Sequence, residues 1–166
     1  VQEPVTTDPE EYAEAAFRAI STFDTTLSTR EEYLAYLETW MTPQVGNTTT
    51  GEINPDATEN NKRILDREIL PTEDMWAALE EAQGFGAPEY ETIEQISGSD
   101  SSGYGYAVTI DTVYTPRTVG GFDTDPWSES RKLGVLVTCN EWTVPSLEKG
   151  QKLGDCKVER WVDSTD

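Results

Sequence analysis

One segment of the chain holds the residue types that could carry out acid–base chemistry. It reads "YGYAVTIDTVYTPR" and contains Asp111 between Tyr106 and Tyr114. A carboxylate enclosed in an apolar pocket has a raised pKa and can act as a general base, and a tyrosine hydroxyl can polarise a carbonyl group. Asp111 and Tyr106 are therefore the two residues that a catalytic interpretation would use.

The spacing within the same segment favours a structural role for these residues. Successive side chains of a strand point to opposite faces, so Asp111 is out of phase with Tyr106, Val108 and Ile110. If those three residues fill the core, Asp111 faces solvent, and tyrosines are ordinary residues of strands. We therefore expect no catalytic residues and keep Asp111 with Tyr106 as the alternative.

The absence of one residue type excludes several kinds of site. The chain contains no histidine, which rules out Ser-His-Asp and Cys-His nucleophiles and every zinc site that needs a histidine ligand. The carboxylates of Asp8, Glu10 and Glu11 lie where a helix begins and lack the spacing of a calcium loop. The sequence predicts neither a metal nor a cofactor.

The net charge restricts the possible partners. The chain has 32 acidic and 12 basic residues, which gives a net charge of −20. Such a surface repels phosphate backbones and anionic lipid head groups, so we expect no nucleic acid and contact with a membrane only through an anchor. A protein partner, or a second copy of the chain in a homo-oligomer, is the expected kind of contact.

The two cysteines, Cys139 and Cys156, belong to segments that both resemble strands, "KLGVLVTC" and "CKVERWV". If these strands pair antiparallel with the cysteines opposed, Val137 faces Val158 and Leu133 faces Val162, which gives a sensible apolar face. We prefer a disulfide between the cysteines over two free buried thiols. A disulfide implies an oxidising, extracytoplasmic compartment.

The order of the predicted elements gives the fold class. Asp8 and Ser28 are predicted to cap two helices, residues 44–60 form a polar loop, Thr72 caps a short helix, and four strands follow. Helices followed by antiparallel strands make an α+β two-layer domain. We expect a single domain over residues 9–163, preceded by a stalk or linker over residues 1–8.

The segment "AFRAISTFDTTLSTREEYLAYLETWMTP", followed by a short helix and strands, resembles the nuclear transport factor 2-like (cystatin-like) superfamily. More narrowly, it is similar to extracytoplasmic domains of actinobacterial membrane-anchored proteins of conjugation, type IV secretion or mammalian-cell-entry systems. The resemblance implies a cone-like fold, in which the N-terminal helices pack in the concavity of a curved antiparallel sheet of four or more strands. It also implies an N-terminal membrane anchor that this sequence does not include.

The same resemblance allows two kinds of function. Members of the superfamily use the cone for small-molecule catalysis or ligand binding, or fill it with side chains and act in protein assembly. We expect a non-catalytic extracytoplasmic assembly or scaffolding domain that acts through protein–protein contacts. The alternative is binding of a small apolar ligand, or isomerase- or cyclase-type catalysis, in the cone.

Two aromatic residues are candidates for contact with a partner. Phe122 and Trp127 lie in "FDTDPWSES", which we predict to be a loop. An exposed aromatic side chain on such a loop can anchor a protein contact. The equal alternative is that the loop folds back over the mouth of the cone.

Overall fold

A computed structural model describes residues 1–117 and 125–164 of the chain. In these residues, four α-helices pack against a curled antiparallel sheet, which confirms the predicted α+β class. The helices are α1 (Pro9–Ala19), α2 (Arg30–Glu38), α3 (Pro55–Ile64) and α4 (Glu73–Glu81), and α3 continues into a π-helical turn over Leu65–Ile69.

The helices begin at polar caps. Asp8 accepts hydrogen bonds from the backbone N–H groups of Glu10 (3.0 Å) and Glu11 (3.4 Å), and Thr72 caps α4, both as predicted. Helix α2 begins one residue later than predicted, because Thr29 is its cap and Glu32 completes the capping box. Ser28 with Glu31 and Thr29 with Glu32 have the same spacing, so the sequence pattern alone does not distinguish them.

The loop predicted over residues 44–60 is wrong. It contains a short hairpin, β2 (Val45–Asn47) and β3 (Glu52–Ile53), and the start of α3. Asn54 caps α3 through a hydrogen bond from Ala57 N–H (3.1 Å). This helix has no apolar stripe for sequence analysis to detect, since the only side chain that α3 buries in the described structure belongs to Asn61.

The main sheet has the strand order β1-β4-β6-β7-β8, and β5 also pairs with β6. The strands are β1 (Phe23–Asp24), β4 (Phe85–Glu89), β5 (Glu94–Ser99), β6 (Gly103–Thr115), β7 (Trp127–Thr138) and β8 (Lys157–Asp163). The sequence pattern predicted the last four. It missed β1, which has two residues, and β4, which contains a glycine and a proline.

The core lies between the helices and one face of β6, β7 and β8. Tyr106, Val108, Ile110 and Tyr114 are buried on β6, as the alternation predicted. The residues of α1, of α2 and of its C-terminal end that meet this face are also buried: Tyr12, Ala13, Ala16, Phe17, Tyr33, Leu37 and Trp40. The two helices and the sheet thus share one apolar core.

Cys139 and Cys156 form a disulfide with an S–S distance of 2.02 Å, which confirms their predicted pairing. Val137 faces Val158 as expected, but Leu133 pairs with Asp163 and not with Val162. The register shifts at a bulge between Leu136 and Val137, and one extra residue in a strand moves every later partner by one position.

A disulfide is typical of proteins in oxidising compartments. None of the helices in residues 1–117 and 125–164 has the length and apolar character that a membrane crossing requires.

Candidate functional site

The alternative catalytic pair does not meet in one site. Tyr106 is 2 % exposed and belongs to the core. Asp111 is exposed, and its neighbours across the strands are Glu89 of β4 and Ser130 of β7. Five residues apart on one strand, Tyr106 and Asp111 therefore point to opposite faces of the sheet.

Large side chains fill the concave side of the sheet, and the polar groups of two of them bond to backbone carbonyl oxygens of the helical region. The hydroxyl of Tyr33 donates to the carbonyl oxygen of Ala19, and Trp161 Nε1 donates to that of Ala16 (3.2 Å). Burial raises the pKa of Tyr33 far above its usual value and that of Tyr114 to about 12. These hydroxyls are neutral near pH 7 and act as structural hydrogen-bonding groups.

Of the two aromatic residues predicted to contact a partner, the structure describes only Trp127. Phe122 lies outside the described residues. Trp127 is 43 % exposed, but it is the first residue of β7 and not part of a loop. Its ring lies 5.4 Å from that of Tyr114, its partner in the ladder, so it covers the end of the core and keeps one side in solvent.

A buried ion-pair network ties the N-terminal segment to the domain. The side chains of Glu3 and Lys157 are each 1 % exposed, and Lys157 Nζ donates to Glu3 Oε2 (2.9 Å). Lys149 Nζ donates to Glu3 Oε1 (2.6 Å), and Gln151 Nε2 and the Tyr12 hydroxyl donate to Glu3 Oε2. Residues 1–8, expected to be a stalk or linker, thus place one side chain inside the fold.

The charges of this network are perturbed in a way that its geometry explains. Burial alone would raise the pKa of the Glu3 carboxyl, but hydrogen bonds from Lys149, Tyr12, Gln151 and Lys157 together lower it below its usual value. Burial lowers the pKa of the Lys157 ammonium, and the bond to Glu3 only partly offsets it. Glu3 has two ammonium groups as partners, whereas Lys157 has one carboxylate.

The network joins three segments that are far apart in the sequence. Besides Glu3, Lys149 Nζ contacts Thr39 Oγ1 (2.7 Å) at the end of α2, and Lys157 Nζ contacts Ser146 Oγ (2.7 Å) in the β7–β8 connection. Cys156 N–H donates to the carbonyl oxygen of Thr6 (2.8 Å). The N-terminal segment, the end of α2 and residues 140–156 are therefore held side by side.

These three segments carry a set of exposed apolar side chains, which we call the collar. Its members are between 38 % and 73 % exposed: Val5, Tyr36, Val144, Leu147 and Leu153. Leu147 and Leu153 are the most exposed of the five, at 73 % and 72 %. Large apolar side chains exposed on neighbouring segments commonly mark a contact surface.

Three of the five collar residues, Val144, Leu147 and Leu153, lie in a segment without net charge. Residues 140–157 contain three acidic and three basic residues, Glu141, Glu148, Asp155, Lys149, Lys152 and Lys157. Their net charge is zero, whereas the whole chain carries −20. The sequence analysis did not single out this surface. The signal was present, since the leucines of "VPSLEKGQKLGDC" stand among turn-forming residues, where the pattern predicts neither a strand nor an α-helix to bury them.

Comparisons with protein-family models, curated proteins and solved structures give no match to this chain. The functional argument therefore depends on the geometry of its own residues.

Proposed function

We propose that this protein is a non-catalytic, extracytoplasmic assembly domain that acts through protein–protein contacts, and that the collar is its contact surface. The observation that carries this proposal is the exposure of Leu147 and Leu153 in a charge-neutral loop. The disulfide Cys139–Cys156 supports the extracytoplasmic location. The resemblance to membrane-anchored secretion and conjugation proteins supports the same kind of role.

The packing of the core favours assembly over a small-molecule role. Tyr12, Phe17 and Trp40 are all completely buried in the core that the helices share with the sheet. A ligand pocket in the cone would need that volume, since pockets for small molecules commonly measure about 300 Å³ or more. The alternative of catalysis or ligand binding in the cone has no such support.

The occupant of the collar that fits best is a second copy of the chain. Two molecules with a net charge of −20 repel each other over most of their surfaces. They can approach where the charge of each is locally balanced, as it is in residues 140–157. In a two-fold contact the same patch meets itself, so both leucines of each copy would be buried, four in all.

The loop that carries the collar leucines is already ordered before any such contact. The disulfide closes the loop that carries Leu147 and Leu153, and Lys149 and Lys157 fix it to the rest of the domain. A surface that is already ordered loses less conformational entropy on association. The leucines are therefore presented by a loop with fixed ends.

Sedimentation equilibrium in 0.15 M NaCl tests the proposal. We expect the wild type to form a dimer and the double variant Leu147→Asp/Leu153→Asp to be a monomer. Four leucines, each partly exposed before association, contribute on the order of 4–8 kcal/mol, so the dissociation constant should rise at least about 100-fold.

Leu27→Asp is the matched control, because Leu27 is 82 % exposed and precedes the other end of α2. This variant should associate like the wild type. A wild type that is monomeric up to about 1 mM, or equal loss of association in the control, would contradict the proposal.

A further inference from the structure

A second surface, distinct from the collar, is built around Trp142. Its indole N–H donates to the carbonyl oxygen of Thr48 (3.1 Å) in the turn between β2 and β3. Gly51, with φ of +74°, lies directly against the ring, and a Cβ at this position would be 2.2 Å from Trp142 Cε3. The hairpin therefore holds the indole in one orientation from two sides.

Two clefts open beside this indole. The larger has a volume of about 240 Å³ and is lined by Thr48, Asp100, Ser101, Asn140, Glu141 and Trp142. The smaller has a volume of about 80 Å³, shares Thr48, Ser101, Asn140 and Trp142 with the first, and is also lined by Glu159. Trp142 is thus a common wall of both clefts.

The position of Glu159 results from the bulge in the sheet. Leu136 pairs with Arg160 and Val137 pairs with Val158, so Glu159 is the extra residue on β8. Bulges redirect side chains, and this one brings a carboxylate to the cleft. Burial raises the pKa of the Glu159 carboxyl, and the nearby Arg160 only partly opposes this effect. A cation bound in the cleft would stabilise the ionised form.

The three carboxylates of these clefts have no cationic partner in the described structure. No lysine or arginine among the described residues lies within 4.0 Å of Asp100, Glu141 or Glu159. Asp100 accepts a hydrogen bond from the Tyr104 hydroxyl, which keeps its carboxylate at the turn between β5 and β6. Within residues 1–117 and 125–164, no three candidate ligands are grouped so that they could hold a metal ion.

We propose that the two adjoining clefts at Trp142 together bind a guanidinium group, as carried by an arginine side chain. A guanidinium stacks on the face of an indole and donates paired hydrogen bonds to carboxylates, whereas an ammonium group is a point charge without this planar geometry. The adjoining clefts combine both elements, since Trp142 lines both of them, Glu141 lines the larger and Glu159 lines the smaller. The strong negative charge of the whole chain also raises the local concentration of cations.

The test is a titration followed by the indole N–H signals in a ¹H–¹⁵N NMR spectrum, with the Trp142 signal identified by its loss in Trp142→Phe. The probe is N-acetyl-arginine amide, and N-acetyl-lysine amide and NaCl are added separately at the same ionic strength. We expect the Trp142 signal to move saturably with the arginine probe, at least about threefold more weakly with the lysine probe, and negligibly with NaCl.

Three charge-removing variants decide whether the cleft itself is responsible. Glu141→Gln and Glu159→Gln should each weaken binding about two- to fivefold, the usual effect of one partly exposed ion pair. Glu148→Gln removes the same charge from an exposed position outside the cleft and should leave binding unchanged. The proposal is overturned by a shift that does not saturate, by lysine binding as tightly as arginine, or by equal weakening in all three variants.

Discussion

Replacing Glu3 by glutamine is the sharpest test of how the N-terminal segment and the collar are held. The Glu3 carboxylate accepts hydrogen bonds from Lys149, Lys157, Gln151 and Tyr12. Glutamine has nearly the same shape, but it carries no charge and only one acceptor oxygen. Its amide NH₂ would face donor groups in either of its two orientations, so at least one hydrogen bond becomes a donor–donor contact.

The size of the effect follows from the burial of Lys157. Its ammonium would remain buried without a counter-ion, and removal of one partner from a buried pair costs about 3–5 kcal/mol. Lys157 keeps hydrogen bonds to the carbonyl oxygen of Thr39 and to Ser146 Oγ, both at 2.7 Å, which favours the lower end of that range. We therefore expect Glu3→Gln to lower the free energy of unfolding by about 3 kcal/mol. For a domain of this size, that loss lowers Tm by roughly 6–12 °C.

Urea denaturation at pH 7 without reductant measures this loss. Glu80→Gln is the matched control, because it removes the same charge from an exposed position on α4, which carries no residue of the network, and should change stability by less than about 0.5 kcal/mol. Adding Lys157→Met to Glu3→Gln removes the uncompensated ammonium and should restore much of the loss. A decrease in the free energy of unfolding of less than about 1 kcal/mol in Glu3→Gln would refute the reasoning. It would mean that the Lys157 ammonium is stable in its buried position without the Glu3 carboxylate.

The same network predicts the response to acid. The pKa of Glu3 is lower in the folded than in the unfolded chain, so its contribution is present above the ordinary glutamate pKa of 4.5. It is lost as the pH falls through the lower pKa of the folded state. In a comparison of stabilities between pH 7 and pH 3, Glu3→Gln should therefore differ less from the wild type at pH 3. A difference that is independent of pH would contradict this assignment.

Three further changes have defined outcomes. Replacing both Cys139 and Cys156 by serine should lower the free energy of unfolding by about 3 kcal/mol in urea denaturation, since the disulfide closes a loop with a sequence separation of 17; an unchanged midpoint would count against this. Gly51→Ala should lose about 1–2 kcal/mol and displace the Trp142 indole signal in NMR spectra, because the position has positive φ and no room for a Cβ. Raising NaCl from 0.05 to 0.5 M should strengthen dimer formation in sedimentation equilibrium, because salt screens the repulsion between two chains that each carry −20; weaker association at high salt would contradict this, since attractive ion pairs and not apolar contacts would then hold the dimer.

The parts of the fold that could be predicted from sequence are those fixed by local patterns. Asp8 and Thr72 cap helices because each precedes its helix with a short side chain that can accept from the next turn. The buried face of β6 follows from the alternation of Tyr106, Val108 and Ile110. The disulfide also followed from the pattern, since it required only that two neighbouring strand-like segments pair.

The parts that could not be predicted depend on residues far apart in the chain or on polar packing. Glu3 and Lys157 are separated by 154 positions, and no local sequence pattern predicts their contact. The prediction assumed a strict two-residue period along both strands, and such a period does not reveal a bulge. Because Glu159 is an extra residue on β8, Leu133 pairs with Asp163 and not with the predicted Val162. Of the candidate site, sequence analysis predicted the hairpin and its disulfide but not the leucines of the collar.

The two proposed contact surfaces follow from a single arrangement of the chain. Trp142 and Leu147 belong to the same connection between β7 and β8, whose ends are joined by Cys139 and Cys156. The charge differs between its two sides, because unpaired carboxylates surround the cleft at Trp142, whereas lysines balance the acidic residues near Leu147. A cation-binding cleft needs an excess of negative charge, and a contact between two acidic copies needs local neutrality. Because Asp100 and Glu159 come to the cleft from outside this loop, the same strongly acidic chain can offer one surface to a basic group and another to itself.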